Sequence, residues 1–339
     1  MAEIVTDRQY QQILTASVAA RSPAVQDIVF KSTPLTRILL DSGRIRKYRA
    51  GGPELRVPVE YDKLDVQWFA GYDILNIQAK PILSSAVYDW SRAVGMFSLS
   101  GDELLFNRGR EEVIGLIEAY QTNAEKSVRE GFEASLFSDG TGAGGRELVG
   151  LGAAIPTVPS TGIYGGINRA TVPNWQTSYY NIPGGDLSTI GTTWDATTAA
   201  QFISHITLAR SRGGDYPDLW LFDANSWPAI ETAFASRQRF VSDRRQRLNL
   251  PGYSMHTGAG VVDLIPVGGI GSVMTANTAF GINTDSFGLW EFPGQSFVPF
   301  HSGGGMRPIN QDAIAQGIVW SGQLVSTNPL FNVRVKTAN

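Results

Sequence analysis

The sequence predicts an α+β fold, and three features carry that prediction. Apolar residues alternate with polar ones from Leu55, the pattern of a half-buried strand. A single long amphipathic helix follows, over Arg110 to Phe137. Beyond Asp195, short helices interleave with short strands as far as residue 292. No internal repeat and no low-complexity run is present.

Taken in order, the first 50 residues are locally basic. Eight Lys and Arg stand against four Asp and Glu, so this stretch is +4 while the whole chain is −3. Its apolar residues form no long periodic run, which fits an arm with one or two short helices or an ordinary N-terminal lead-in. Next, Leu55, Val57, Val59 and Tyr61 share one strand face, and Arg56, Pro58 and Glu60 share the other. Pro58 has no N–H to give, so the strand belongs at an edge. Further strand-like pieces are expected at Ile74–Ala79, Ala86–Trp90 and Met96–Leu99. Residues 51–100 then form a long two-stranded excursion. A lone hairpin is marginal in water, so this one is expected to lie on a partner surface.

In the long helix, Val113, Ile117, Tyr120, Ala124, Val128, Phe132 and Leu136 recur at steps of three and four. At 1.5 Å per residue it would be about 42 Å long. Asp139 and Gly140 supply the stop signal. A single apolar stripe suits a spine beneath a sheet, or a helix in a compact α/β core. Residues 138–193 are rich in Gly, Pro, Ser and Thr and read as loops and short strands. A helix over 195–211 opens on an Asp N-cap. Leu219–Phe222 is a short buried strand, Ala224–Ser236 a second helix, and 253–292 short strands rich in Gly and Val. Ile314–Leu324 and Phe331–Val335 return to strand.

Composition narrows the function. Charged residues are 17% of the chain, against about 25% in an average domain. Such sparse charge hints at surface buried against other chains. The absence of cysteine excludes disulfides, thiolate nucleophiles and cysteine metal sites. Slight net acidity argues against a dedicated nucleic-acid binder. The start lacks the apolar stretch of a signal peptide, and no run reaches the ~20 residues of a membrane span. A reducing cytoplasm is therefore expected, without membrane partners.

Catalytic signals are weak throughout. His205, His256 and His301 make no pair at metal-ligand spacing, and His205 reads as the rim of a helix core. Gly140–Gly145 has phosphate-loop glycine spacing, but Arg146 and Glu147 stand where Lys and Ser or Thr are needed. A glycine-rich turn at a helix exit explains it better. The carboxylate pairs Asp102–Glu103 and Glu111–Glu112 point apart on a helix. Eight scattered tryptophans read as core and interface anchors rather than sugar-stacking platforms. No catalytic residue, metal or cofactor is assigned. The densest charge feature is Ser236–Arg247, with Arg237, Arg239, Arg244, Arg245 and Arg247 against one aspartate. Pairing with a neighbouring subunit's carboxylates is preferred. A nucleic-acid patch and a solvated face are the other readings.

Several segments carry a likeness to a known family. Ser100-Gly-Asp-Glu-Leu-Leu-Phe-Asn107 leads into the long helix, which exits through Leu136-Phe-Ser-Asp-Gly-Thr-Gly142. Glu147-Leu-Val-Gly-Leu-Gly-Ala-Ala-Ile155, Tyr164-Gly-Gly-Ile-Asn-Arg169 and Trp175 follow. The tail has Ile318-Val-Trp-Ser-Gly-Gln-Leu-Val325 and Asn328-Pro-Leu-Phe-Asn332. In this order, over about residues 30–335, they resemble the major capsid proteins of tailed double-stranded-DNA bacteriophages, the Hong-Kong-97-like fold.

That resemblance implies a layout and a role. Residues 1–50 would be the N-arm, and 51–100 an extended loop lying over a neighbouring subunit. Residues 101–193 would form the peripheral domain with its spine helix, 194–294 the axial domain, and 295–339 the return to the peripheral domain. The chain would be a structural protein that self-assembles into hexamers and pentamers of an icosahedral phage head in the host cytoplasm. That shell would enclose double-stranded DNA, which the basic arm would meet nonspecifically. Further partners would be a separate scaffold, a portal and decoration proteins. Some relatives join Lys to Asn covalently; Lys63 lies in the corresponding loop, but no such bond is predicted. Inter-subunit contacts are expected at Arg56, Glu60, Lys63, Trp68, Arg237, Arg239, Arg244 and Arg245. An encapsulin-type nanocompartment shares the fold and is the first alternative. A glycan-binding or glycan-cleaving enzyme using the tryptophans is the second.

Overall fold

The structure is a computed structural model. It describes residues 25, 34–49, 51–60, 62, 64, 66–75, 82–102, 110–234, 252–268, 273–300, 306 and 310–338, without the side chains of 110–117. In chain order the helices are α1 (Pro34–Asp41), α2 (Arg110–Phe137), α3 (Leu151–Ala154), α4 (Ala199–Ala209) and α5 (Trp227–Phe234). The first strands are β1 (Ile45–Lys47), β2 (Glu54–Glu60), β3 (Leu83–Asp89), β4 (Ser91–Ser100), β5 (Ile163–Tyr164), β6 (Ile167–Asn168) and β7 (Ser178–Asn181). After them come β8 (Leu219–Phe222), β9 (Tyr253–His256), β10 (Val261–Pro266), β11 (Thr278–Ile282) and β12 (Phe287–Glu291). The last are β13 (Val298–Pro299), β14 (Ala313–Ser326) and β15 (Val333–Lys336). The chain forms two compact units, each built from three separated stretches. One comprises 1–51, 90–150 and 289–323, the other 52–89, 151–288 and 324–339.

The first unit is organised by β14, buried along almost its whole length. Its residues 313–322 pair with all ten of β4, antiparallel. Val319 and Ile318 pair with β13, and β12 also borders β14. β1 extends the sheet as a parallel partner of β12. There Tyr48 packs edge-on to Trp290 and tilted against Trp90. Helix α2 runs along β4. An added Cβ at Gly95 would lie 2.3 Å from Val128 Cγ2. Only glycine lets the helix approach this closely. Phe132 comes down edge-on to Trp320 at 4.8 Å, with Phe297 within 6.3 Å of both rings. The Trp320 indole N–H donates to Glu291 Oε1 at 2.9 Å, and the Ser296 hydroxyl donates to the same oxygen at 2.7 Å. These donors satisfy a carboxylate that is only 1% exposed.

The second unit is built on a six-stranded mixed sheet, ordered β7-β15-β11-β8-β10-β9. Every residue of β8, Leu-Trp-Leu-Phe, is buried, as an interior strand covered on both faces requires. Phe202, Ile203 and Ile206 of α4 and Ile230 of α5 pack on one face with Trp220, Phe222, Leu264 and Val335. Asp223 joins β8 to α5. Its carboxylate accepts the backbone N–H of Asn225, Ser226 and Asn277, and the Ser226 hydroxyl. The Ser226 and Thr337 hydroxyls are 2.6 Å apart, which ties the chain's last strand to the start of α5.

Several expected elements match the structure and others shift. α2 and β8 have their expected limits. The 195–211 helix begins later, at Ala199. Asp195 precedes it and accepts the N–H of Thr197 and Thr198, capping the preceding turn. Met96–Leu99 and most of Ala86–Trp90 fall within β4 and β3. Ile74 and Leu75 are not in a strand, and Gln78 and the rest of that expected strand lie outside the described residues. His205 is exposed rather than at a core rim. The hairpin β2–β3 also has a buried face of its own. Leu55, Val57, Val59, Ala86 and Tyr88 are all under 7% exposed, contrary to a hairpin without local support.

Two outcomes are expected. Asp223→Ala strands several buried donors, each costing about 1–3 kcal/mol when unsatisfied; urea unfolding should show a total loss of about 3 kcal/mol. Hydrogen bonds from Thr197 and Thr198 lower the Asp195 carboxyl from its ordinary 3.8 to about 2. Because the folded value is the lower one, its contribution is complete above pH 3.8. It is lost as pH falls toward 2. A carboxyl titration by NMR should place its midpoint near 2, with the start of α4 loosening over the same range.

Candidate assembly surfaces

The base of the β2–β3 hairpin is fixed by a polar and aromatic cluster within its own unit. The Tyr88 hydroxyl donates to the Ser326 carbonyl at 2.9 Å, and Val87 N–H donates to Gly165 O at 2.9 Å. Tyr88 meets Tyr164 edge-on at 5.4 Å. Burial raises both phenols, Tyr88 well above its usual value and Tyr164 to about 12, so both stay neutral. Arg169 lies 5.0 Å from the Tyr164 ring centre, and its Nη2 donates to the carbonyls of Ala153 and Ala154 at the end of α3. Burial lowers the Arg169 pKa. The Trp175 indole N–H closes the cluster on Tyr164 O at 2.9 Å.

Beyond this base the hairpin's tip is apolar and bare. Leu64 is 65% exposed, Val66 81%, Trp68 94%, Tyr72 105% and Ile74 99%, and Phe69 is exposed as well. Scattered apolar residues are normal on a surface, but a contiguous run marks an interaction site. Asp73 shapes the tip, since Ala70 N–H donates to its carboxylate at 2.8 Å and Asp73 N–H returns to Ala70 O at 2.9 Å.

In the first unit, a cleft of about 510 Å³ opens between α2 and β4. Gly131, Phe132, Val94 and Trp320 give it an apolar lining, and Arg92, Arg146 and Glu147 also line it. A second hollow of about 490 Å³ shares Gly95 and Ser127 with the first and continues along the same helix. Gly131 is unusual here. A glycine inside a helix costs about 1 kcal/mol relative to alanine, and an added Cβ would meet nothing within 4 Å. Its bare backbone widens the cleft.

The expected contact residues divide three ways. Arg56 and Glu60 are exposed on the polar face of β2, and Arg56 already pairs with Glu54 of its own strand at 3.0 Å. Trp68 stands at the bare tip. Lys63, Arg237, Arg239, Arg244 and Arg245, with Arg247, lie outside the described residues. The apolar neighbours of Trp68 were missed, although Leu64, Val66 and Trp68 alternate in the sequence. Gly131 was missed too, and a glycine inside a strong helix pattern was its only signal. Of the eight tryptophans, Trp175, Trp220 and Trp320 are fully buried and four others partly so. That removes the row of stacking platforms a glycan enzyme would use. The Gly140–Gly145 segment is a helix exit: Asp139 accepts from Thr141, and Gly140 takes a left-handed φ of 78°. Among the described residues, no group of three or more His, Cys, Asp or Glu is placed to hold a metal. No helix there is long and apolar enough to cross a membrane.

No family model matches the chain, and no curated protein matches it. Solved structures do. The capsid asymmetric unit of cyanophage A-1(L) aligns over 91% of this chain and 93% of that one, with TM-score 0.60 and 15% identity. The capsid of Myoviridae phage XM1 aligns over 88% and 92%, with TM-score 0.53 and 11% identity. A Gordonia phage Cozz structure aligns over 89% and 86%, with TM-score 0.52 and 14% identity. At these identities the likeness is one of fold. The chain has the α+β, Hong-Kong-97-like fold of phage major capsid proteins.

Two substitutions test the role of α2. Phe132→Ala empties a site that is 3% exposed and should cost about 3–5 kcal/mol in thermal or urea unfolding. Glu118→Gln, on the exposed side, should change stability by less than about 0.5 kcal/mol.

Proposed function

We propose, from that fold, that the chain is the major capsid protein of a tailed bacteriophage, a structural subunit and not an enzyme. One observation carries the reading: the fold likeness spans about nine-tenths of this chain and of the cyanophage capsid chain. The bare tip at residues 64–75 supports it, because such a surface is costly in water unless another chain covers it.

In this reading, subunits gather into hexamers and pentamers and close an icosahedral shell around double-stranded DNA. Residues 1–50 serve as the N-arm, and 51–100 as the extended loop over a neighbouring subunit. Residues 101–193 with 295–339 form the peripheral domain, and 194–294 the axial domain. Arg56, Glu60, Lys63 and Trp68 contribute loop contacts. Arg237, Arg239, Arg244 and Arg245 pair with carboxylates of the next subunit near the symmetry axis. The basic arm meets the genome through nonspecific phosphate contacts. The protein ends in the virion after assembly in the host cytoplasm, with a separate scaffold, a portal and decoration proteins as partners.

Negative-stain microscopy of the purified protein should show closed shells or capsomers, and DNA should be the content of particles from infected cells. Shells filled with a protein cargo would place the chain among nanocompartments instead. Replacing Val66, Trp68, Phe69 and Tyr72 together by serine should leave the melting temperature within a few degrees, since all four are exposed. Closed particles should fall at least tenfold; a normal particle yield would refute the tip's role.

A further inference from the structure

The root of the β2–β3 hairpin holds three polar groups that are buried and unbonded. The Tyr164 hydroxyl, the Arg169 Nε–H and the Ser326 hydroxyl each lack a hydrogen-bond partner. Their residues are 3%, 3% and 0% exposed. A buried donor left unpaired carries its full desolvation penalty. All three groups gather around one pair of rings. Tyr164 meets Tyr88 edge-on at 5.4 Å, and Arg169 Cζ lies 5.0 Å from the Tyr164 ring centre. Ser326 gives its carbonyl to the Tyr88 hydroxyl at 2.9 Å, and its backbone is near enough to the Tyr164 phenol to lower that group's pKa. Arg169 is also a cation that pairs with no carboxylate among the described residues. Its Nη2 is engaged by the carbonyls of Ala153 and Ala154, and the ionisable groups acting on it are the phenols Tyr88 and Tyr164. Both phenols stay neutral, so they do not balance its charge. A buried charge without a counter-charge is costly.

We infer that a single halide-sized anion binds here, held by the Tyr164 hydroxyl, the Arg169 Nε–H and the Ser326 hydroxyl. Each of the three has a proton to give, and an anion accepts from all of them while neutralising the guanidinium. A water molecule has two lone pairs, so it accepts from two of the three and leaves the charge unbalanced. Burial sets the size. Residues at 0–3% exposure leave room for one atom, not for a phosphate or a carboxylate from another chain. Gly165 closes one side, since an added Cβ there would lie 2.9 Å from the Tyr88 hydroxyl. The ion joins three separate stretches of the second unit: Tyr164 and Arg169 on either side of the β5–β6 turn, β3 through Tyr88, and the last residue of β14. It thereby fastens the hairpin at its root. The site goes beyond the shell-subunit reading and does not depend on it.

Thermal unfolding of the full-length protein in sodium chloride and in sodium gluconate, at equal ionic strength, tests the site. Chloride should raise the melting temperature by about 3 °C or more over gluconate, and the gain should saturate with concentration. Arg169→Met would also remove two carbonyl bonds, so the variants to use are Tyr164→Phe and Ser326→Ala, each of which takes away one hydroxyl. Each should cut the chloride gain by about half or more, whatever its own melting temperature. The Val87 amide, which donates to Gly165 O, should exchange with solvent about fivefold faster in gluconate than in chloride. In bromide-soaked crystals, anomalous scattering should give one peak between Arg169 Nε and the two hydroxyls. Equal melting temperatures in the two salts, a chloride gain unchanged in both variants, or a water at this place with no bromide peak overturns the site. None of these outcomes bears on whether the chain assembles into shells.

Discussion

A strand fourteen residues long must satisfy every N–H and C=O it carries, and β14 must do so out of water. That requirement governs the first unit. β14 is buried along nearly its whole length, so it needs partners on both edges. β4 pairs with it over ten residues on one side, and β13 and β12 flank it on the other. Ile318 and Val319 are paired on both sides at once. β4 is therefore long because β14 is buried, and among the described residues it pairs with no other strand.

The helix laid on this sheet inherits the same constraint. α2 can cover β4 closely only where Gly95 lets Val128 and the Ala124 carbonyl approach. One turn further, Phe132 reaches Trp320, and Trp320 hands its indole proton to the buried Glu291. Packing and hydrogen bonding thus converge on one residue of β14. A buried carboxylate is tolerable there because two side chains donate to it. The second unit solves a related problem with Asp223, whose carboxylate gathers donors from two stretches of chain, Asn225–Ser226 and Asn277. Among the described residues, each unit holds a buried acid by hydrogen bonds, to Glu291 in the first and Asp223 in the second.

Much of this was legible in the sequence where a period is strong and local. The stripe from Val113 to Leu136 set the limits of α2, and the apolar run at Leu219–Phe222 gave β8. Asp195 was recognised as a cap, though the helix proper starts four residues later, because an Asp can cap a preceding turn as well. The ordered glycine, tryptophan and tail segments pointed to the capsid fold that the solved structures share. The buried support under the hairpin was not legible. Tyr88, Tyr164, Arg169 and Ser326 lie up to 238 residues apart, and nothing local in the sequence says they meet.

The sequence by itself determined the class of fold, the long helix, the alternating face of β2 and the poverty of catalytic groups. Each of these follows from periodicity or residue type, which act within a few residues. Tertiary structure alone decided that β4 leaves the hairpin for the β14 sheet, and that Gly131 opens a cleft instead of merely weakening a helix. It alone separated Trp68, bare at the tip, from Trp175, Trp220 and Trp320 in the core. These are long-range outcomes. They depend on which strand finds which partner and on what is left uncovered afterwards, and a burial pattern read along the chain does not name the surface that does the burying.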